Sequence, residues 1–311
     1  MRPERLPQTR VYRFYRGGAL LDRFRGREAG ADGDFPEDWI GSVTEAKNPG
    51  RDEPGAGLSR LEDGSLLRDA IAADPQGWLG PAAEAGSPGV LVKLLDPAQR
   101  LPVHAHPDRT FARAHFGSDF GKTESWIVLA TREESGMVWV GQREDTDRAT
   151  YRGWIEAQET EQLLGTLNEV PVQAGSVVFL PAGVPHAIGP GVLMAELQEP
   201  TDFSIVCEWQ GYPIEPSDSH LGIGWDAAIG ALDLRAHTPV TQLPEAAREF
   251  FWADERAEPA GRFGVWMILE GSGAVGGVRV SEGDCLAVPA AAENLAVEGE
   301  LRVLRCLGPE P

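Results

Sequence analysis

Two stretches of the chain recur in the same order. Trp266 to Gly277, WMILEGSGAVGG, echoes the earlier WIVLATREESGMVWVG, and VSEGDCLAVPAAAENLAVEGELRVLRC echoes VQAGSVVFLPAGVPHAIGPGVLMAELQ. In both copies short apolar runs are broken by Gly and Pro, the rhythm of a jelly roll, whose strands are a few residues long and joined by tight turns. The expected fold class is therefore mainly β, two jelly-roll barrels with a few short helices. The first is expected in residues 1–235 together with an N-terminal extension, the second in residues 236–311. A length of 311 residues fits one large or two modest domains, and 42% hydrophobic residues suffice for a real core.

The two copies differ in their histidines. The first contains Leu101 to Leu129, LPVHAHPDRTFARAHFGSDFGKTESWIVL, completed by PAGVPHAI from Pro181 to Ile188. Side chains alternate faces along a strand, so His104 and His106 of V-H-A-H point the same way. Asp108 is placed to cap a short helix, Arg109 to His115, that ends at Gly117. The chain then returns through a strand with Glu124 at its start, and His186 follows a Gly/Pro turn. Three neutral imidazoles and a carboxylate are the ligand set of a divalent transition metal, and zinc would accept them at roughly 2.0–2.2 Å. His115, helical and exposed by this reading, is left out. Placing Pro289 on Pro181 puts Asn294 where His186 stands, and no His follows His237. The second barrel is thus expected to lack metal ligands and to be structural.

Three segments occurring in order, LVKLLDPAQRLPVHAHPD, GKTESWIVL and VFLPAGVPHAIGPGVLMAELQEPTD, resemble the type I mannose-6-phosphate isomerases, zinc enzymes built on cupin barrels. The resemblance is close from Leu91 to Asp202 and is to a short bacterial-type form. It implies a cupin fold, and one Zn2+ per chain held by His104, His106, Glu124 and His186. His104 stands where the family carries a Gln. The reaction it implies is aldose–ketose isomerisation through an enediol, mannose 6-phosphate to fructose 6-phosphate or a close sugar variant.

Further site residues combine position with the resemblance. Lys93 lies inside an apolar strand, Val90 to Leu95, where its ammonium needs a partner, a cavity or a route to the surface; the resemblance implies contact with a substrate phosphate. Lys122 precedes Glu124 by two residues and shares its face, which suits substrate binding or proton shuttling. Glu196 and Asp202 fall where the family carries acidic residues near its site, Glu196 toward substrate and Asp202 as a positioning group. Trp39 and Glu45, in the strand-like DWIGSVTEA, are candidates to approach the barrel mouth.

Two departures bear on the chemistry. The family's Ser before the first ligand, a phosphate contact, is here Pro102. Its catalytic Arg falls on or next to Val206, and no Arg occurs between Arg152 and Arg235. A second class therefore stays open: a non-isomerase metal cupin, either an iron oxygenase or a sugar-binding regulatory protein.

The formal charge of −20 argues against nucleic acid and anionic membrane as partners and leaves a small-molecule sugar or sugar phosphate. No apolar run approaches membrane-spanning length, and MRPERLPQ at the start lacks the apolar core of a leader, so a cytoplasmic protein is expected. Cys207, Cys285 and Cys306 are odd in number and far apart, as expected of buried thiols in a reducing compartment. Nothing in these features specifies an oligomeric state.

Overall fold

The computed structural model describes residues 1–310 except 27, 29, 49, 52, 293 and 294. It is mainly β, with three antiparallel sheets and a few short helices. Asn294, the expected counterpart of His186, lies outside the described residues.

Two sheets form the first barrel. One runs in the order Arg10–Val11, Glu37–Ile40, Leu91–Leu95, Val192–Gln198, Glu124–Thr131, Val177–Leu180. The other runs Ile205–Val206, His104–Ala105, His186–Ile188, Gly136–Gln142, Leu167–Val172. The third sheet belongs to the C-terminal unit and is built on two long strands, Gly264–Val275 and Val297–Leu307.

Strand alternation explains how the layers stack. Leu95, Trp126 and Met194 face inward and pack with Val138, Val140 and Ile188 of the opposing sheet. Their neighbours Leu94, Ala195 and Leu197 face outward and pack against Val265, Met267 and Leu304 of the C-terminal sheet. Both faces of Val192–Gln198 are therefore covered, which is why VLMAELQ reads as a nearly unbroken apolar run. On the far side, Val103, Ala105 and Ala187 pack under Tyr151 and Ile155 of the helix Arg148–Ala157.

The N-terminus crosses between units. Glu4–Arg5, grouped with the first barrel in the sequence, pairs with Cys285–Val288 at the edge of the C-terminal sheet, and Leu6 enters the shared core.

Local expectations differ from the structure mainly in strand length. The stretch beginning at Asp38 is laddered only over Glu37–Ile40, because Gly41 takes φ 63° and turns the chain. Of VYRFY, Val11 to Tyr15, only Val11 is laddered, in the strand Arg10–Val11, and a short helix spans Leu67–Ala73. The helix after the His pair spans Arg109–Phe116; Asp108 accepts from the Phe111 amide at its start and Gly117 closes it in the left-handed region.

Candidate metal centre

His104 and His186 lie directly opposite one another on paired strands, and His106 follows two residues on. One ring nitrogen from each of the three falls within 4.8 Å of the others, and all three rings are buried. Among the described residues this is the one cluster of His, Cys, Asp or Glu with such spacing. Glu124 reaches the same point from the facing sheet. Its two carboxylate oxygens lie 3.2 Å from His106 Nε2 and 3.4 Å from His186 Nε2.

The backbone sets which nitrogen faces inward. His104 Nδ1 lies 2.8 Å from the Pro102 carbonyl, His106 Nδ1 2.8 Å from that of Phe203, and His186 Nδ1 2.9 Å from that of Val184. A carbonyl only accepts, so each Nδ1 carries the proton and each Nε2 presents a lone pair. His186 Nε2 is buried and, among the described residues, has no hydrogen-bond partner. An orphaned acceptor among other lone pairs and a carboxylate is what a divalent cation satisfies, and Nδ1 held by carbonyls is the usual support of a ligating imidazole. The residues present fit the metal.

Burial pushes all three imidazoles down, His106 to about 3 with help from the neighbouring Lys122 ammonium. Burial alone would push Glu124 up, but Lys122 and His106 hold it well below the usual carboxylate range. Neutral imidazoles beside an ionised carboxylate need lose no proton before ligating. Lys122 Nζ sits 2.8 Å from His106 Nε2 and 3.0 Å from Glu124, on the face shared with Glu124.

The cluster opens on a cavity of about 240 Å3 lined by His104, Lys122, Lys93, Glu196 and Asp202. Lys93 does not reach the surface. It is 3% exposed, sits directly opposite Glu196 with its ammonium 3.2 Å from that carboxylate, and lies 4.8 Å from the centre of the Trp39 ring. Trp39, Lys93, Glu196 and Trp126 form one row across four neighbouring strands. Burial, with the Glu124 charge nearby, pushes Glu196 up from its ordinary value. Asp202 accepts two hydrogen bonds from Arg13 and a third from the Lys47 amide.

Three residues of this wall, Arg13, Tyr15 and Glu37, were not singled out from the sequence. Arg13 lies 3.0 Å from Glu37 and over the Trp39 ring. Tyr15 and Trp39 both donate to the Glu37 carboxylate. Burial would raise Glu37, yet Arg13 and Lys93 bring it down to about 2. The alternation of VYRFY already puts Arg13 and Tyr15 on one face; what the sequence lacks is any local sign of the buried partners.

Other candidates stay outside. Glu45 is exposed and pairs with Arg68, and His115 is exposed and stacks on Phe111. All three cysteines are free and buried, with burial pushing each thiol up. Val206 lines the cavity, opposite His104.

The chain matches no protein-family model. Over 113 residues it is 34% identical to a mannose-6-phosphate isomerase of Streptococcus mutans and 32% identical to one of Bacillus subtilis, each match covering 36% of this chain and 34% of the relative. The match thus spans about a third of the length of these curated relatives. In three dimensions the likeness is complete: it covers 98% of this chain and 99% of the mannose 6-phosphate isomerase structure of Bacillus subtilis, with a TM-score of 0.75 at 20% identity. A mannose 6-phosphate isomerase bound with zinc and yttrium aligns over 100% of both chains with a TM-score of 0.72 at 15% identity. This end-to-end likeness gives the chain the fold of the mannose 6-phosphate isomerase structures it aligns with, and the three convergent histidines lie within that fold.

Proposed function

We propose that this protein is a metal-dependent aldose–ketose isomerase acting on a sugar of the mannose–fructose type. The observation that carries the proposal is the meeting of three inward-facing imidazole lone pairs and the Glu124 carboxylate at one end of a cavity, with the Lys122 ammonium against them. His104, His106, His186 and Glu124 would hold the metal, and zinc is the first ion to test. When bound, a divalent cation supplies Lewis-acid stabilisation of the negative charge that an enediol intermediate places on two oxygens.

The chain's own residues supply the rest. Isomerisation moves a proton between adjacent carbons, and Lys122 is the nitrogen on the cavity wall nearest the cluster, so we assign it that proton. Lys93 and Glu196 form a fixed donor–acceptor pair for substrate hydroxyls. Asp202 acts through Arg13, holding the guanidinium against the cavity wall. Three buried, unpaired thiols suit a cytoplasmic setting. No helix among the described residues is long and apolar enough to cross a membrane.

The relatives are named for mannose 6-phosphate, so that sugar and fructose 6-phosphate are the first pair to offer, beside mannose and fructose themselves. The test is aldose–ketose interconversion by the metal-loaded protein in deuterated water, followed by proton NMR. Turnover with deuterium entering the carbon next to the carbonyl is expected. A full panel of phosphorylated and free aldoses left unchanged would remove the isomerase reading and favour a metal cupin of another class.

A further inference from the structure

We infer that the sugar taken by this cavity is unphosphorylated, a neutral aldose or ketose; the inference rests on the isomerase reading and names its substrate class. Its basis is the pairing of charge around the cavity. A phosphate dianion is held in proteins by cations that have no other partner, or by a cluster of backbone amides. Here each buried cation on the wall has a carboxylate within 3.2 Å.

Arg13 spends both ends of its guanidinium on Asp202, at 2.9 and 3.1 Å, and lies 3.0 Å from Glu37. Lys93 lies 3.2 Å from Glu196 and 3.9 Å from Glu37. Lys122 lies 3.0 Å from Glu124. All three cations are buried, so each pair acts at short range with little screening. To reach Arg13 or Lys93 a phosphate would have to expel a carboxylate and leave that carboxylate buried without its cation, which costs more than the new contact returns; Lys122 lies against the histidine cluster, where it is assigned to the reacting carbons.

The rim does not reverse this balance. Among the described residues the one lining cation without a carboxylate partner is Lys47, which is exposed and rests on the Phe203 ring. Glu215 and Asp218 line the same mouth, and among the described residues neither pairs with a cation. The lining thus counts four cations against five carboxylates, before Glu124 behind them is added. A divalent ion at the histidines would bring the total only to balance.

A neutral polyol meets none of these penalties. Its hydroxyls both donate and accept, so they fit between alternating ammonium and carboxylate groups without displacing either. Tyr12, Phe14, Leu101, Ile188, Ile214 and Leu221 supply apolar surface for its C–H faces. The cavity, about 240 Å3, is smaller than the ~300–1,000 Å3 usual for ligand sites, in keeping with a single small sugar.

The test uses the full-length, metal-loaded protein and two readouts. Calorimetric titration with mannitol and with mannitol 1-phosphate, neither of which can isomerise, is expected to give at least tenfold weaker binding for the phosphate. In turnover, kcat/KM is expected to be at least tenfold higher for mannose than for mannose 6-phosphate. Equal or tighter binding of the phosphorylated polyol, or preferred turnover of the phosphorylated aldose, overturns the inference while leaving the isomerase reading intact. Preferred binding of mannitol with no turnover of any sugar supports the neutral-ligand inference and removes the isomerase reading. Binding of neither polyol overturns the inference.

Discussion

Arg13 grips Asp202 through two hydrogen bonds of 2.9 and 3.1 Å, joining residues 189 positions apart. Both side chains are 7% exposed, and the same guanidinium lies 3.0 Å from Glu37. One cation thus compensates two buried carboxylates, and it comes from a segment that contributes little to the sheet.

Removing that cation strands two charges. Arg13→Met is expected to destabilise the protein by about 3–5 kcal/mol, the usual cost of breaking a buried ion pair from one side. Asp202→Asn should cost less, because Glu37 still faces Arg13. Urea denaturation of the two variants checks the order; equal and negligible losses would mean that the pair is hydrated in solution.

Metal occupancy should follow the cluster and nothing else. His104→Ala and His186→Ala are each expected to purify without bound metal, and His115→Ala with a full complement, as measured by elemental analysis. For the unaltered protein, free ion at a hundred times its Kd stabilises by about 2.7 kcal/mol, so chelation should lower Tm by several degrees. A His186→Ala protein that keeps its ion would strike that residue from the ligand set.

The metal-free protein should weaken as pH falls. An unfolded imidazole titrates near 6.5, whereas His106 in the fold is held near 3 and His104 and His186 are also depressed. Below about 6.5 the unfolded chain therefore binds more protons than the folded one, and stability is lost as pH drops toward 3, by up to about 1.4 kcal/mol per unit for each imidazole. Above 6.5 these groups contribute no slope. Denaturation midpoints of the chelated protein at pH 7.5, 6 and 5 test this, and a midpoint unchanged across the three would contradict it.

Lys93 and Glu196 should prove strongly coupled. Lys93→Met and Glu196→Gln each leave a buried polar group without its main partner, so the double variant is expected to lose less stability than the two singles together. Coupling between contacting residues is typically about 0.5–3 kcal/mol, and a buried pair belongs at the upper end. Additive losses in the cycle would show the two side chains acting independently.

The two units should unfold together. Leu6, 2% exposed, enters a core that contains Leu94 from the first barrel and Val265 from the C-terminal unit. Leu6→Ala is expected to cost about 2–5 kcal/mol and to lower a single transition seen by both circular dichroism and tryptophan fluorescence. Two separated transitions, only one of them shifted, would mean that the shared core does not couple the units.

Much of this protein is legible before any coordinates, and the legible part is local. The echo of WIVLATREESG in WMILEGSG marks the paired β units. The alternation of V-H-A-H aims two imidazoles one way, and Asp108 and Gly117 bracket a helix. Each of these depends on residues within one turn or one strand, where side-chain direction follows from backbone period alone. Asn294 lies outside the described residues, so its place in the second unit rests on the sequence.

Tertiary structure decided where the charges end. From the sequence Lys93 could run to the surface or turn inward; it turns inward because Glu196 stands opposite it and Trp39 covers it. Arg13 carries no local sign of importance, yet it is locked by Asp202, and the edge strand Glu4–Arg5 joins a sheet some 280 residues later in the chain. The sequence by itself determined periodicity, turns and the donor types available. Partner choice for buried ions was settled only by the fold, because a charge inside a protein is stabilised by whatever lies within a few ångströms of it, and distance along the chain says nothing about that.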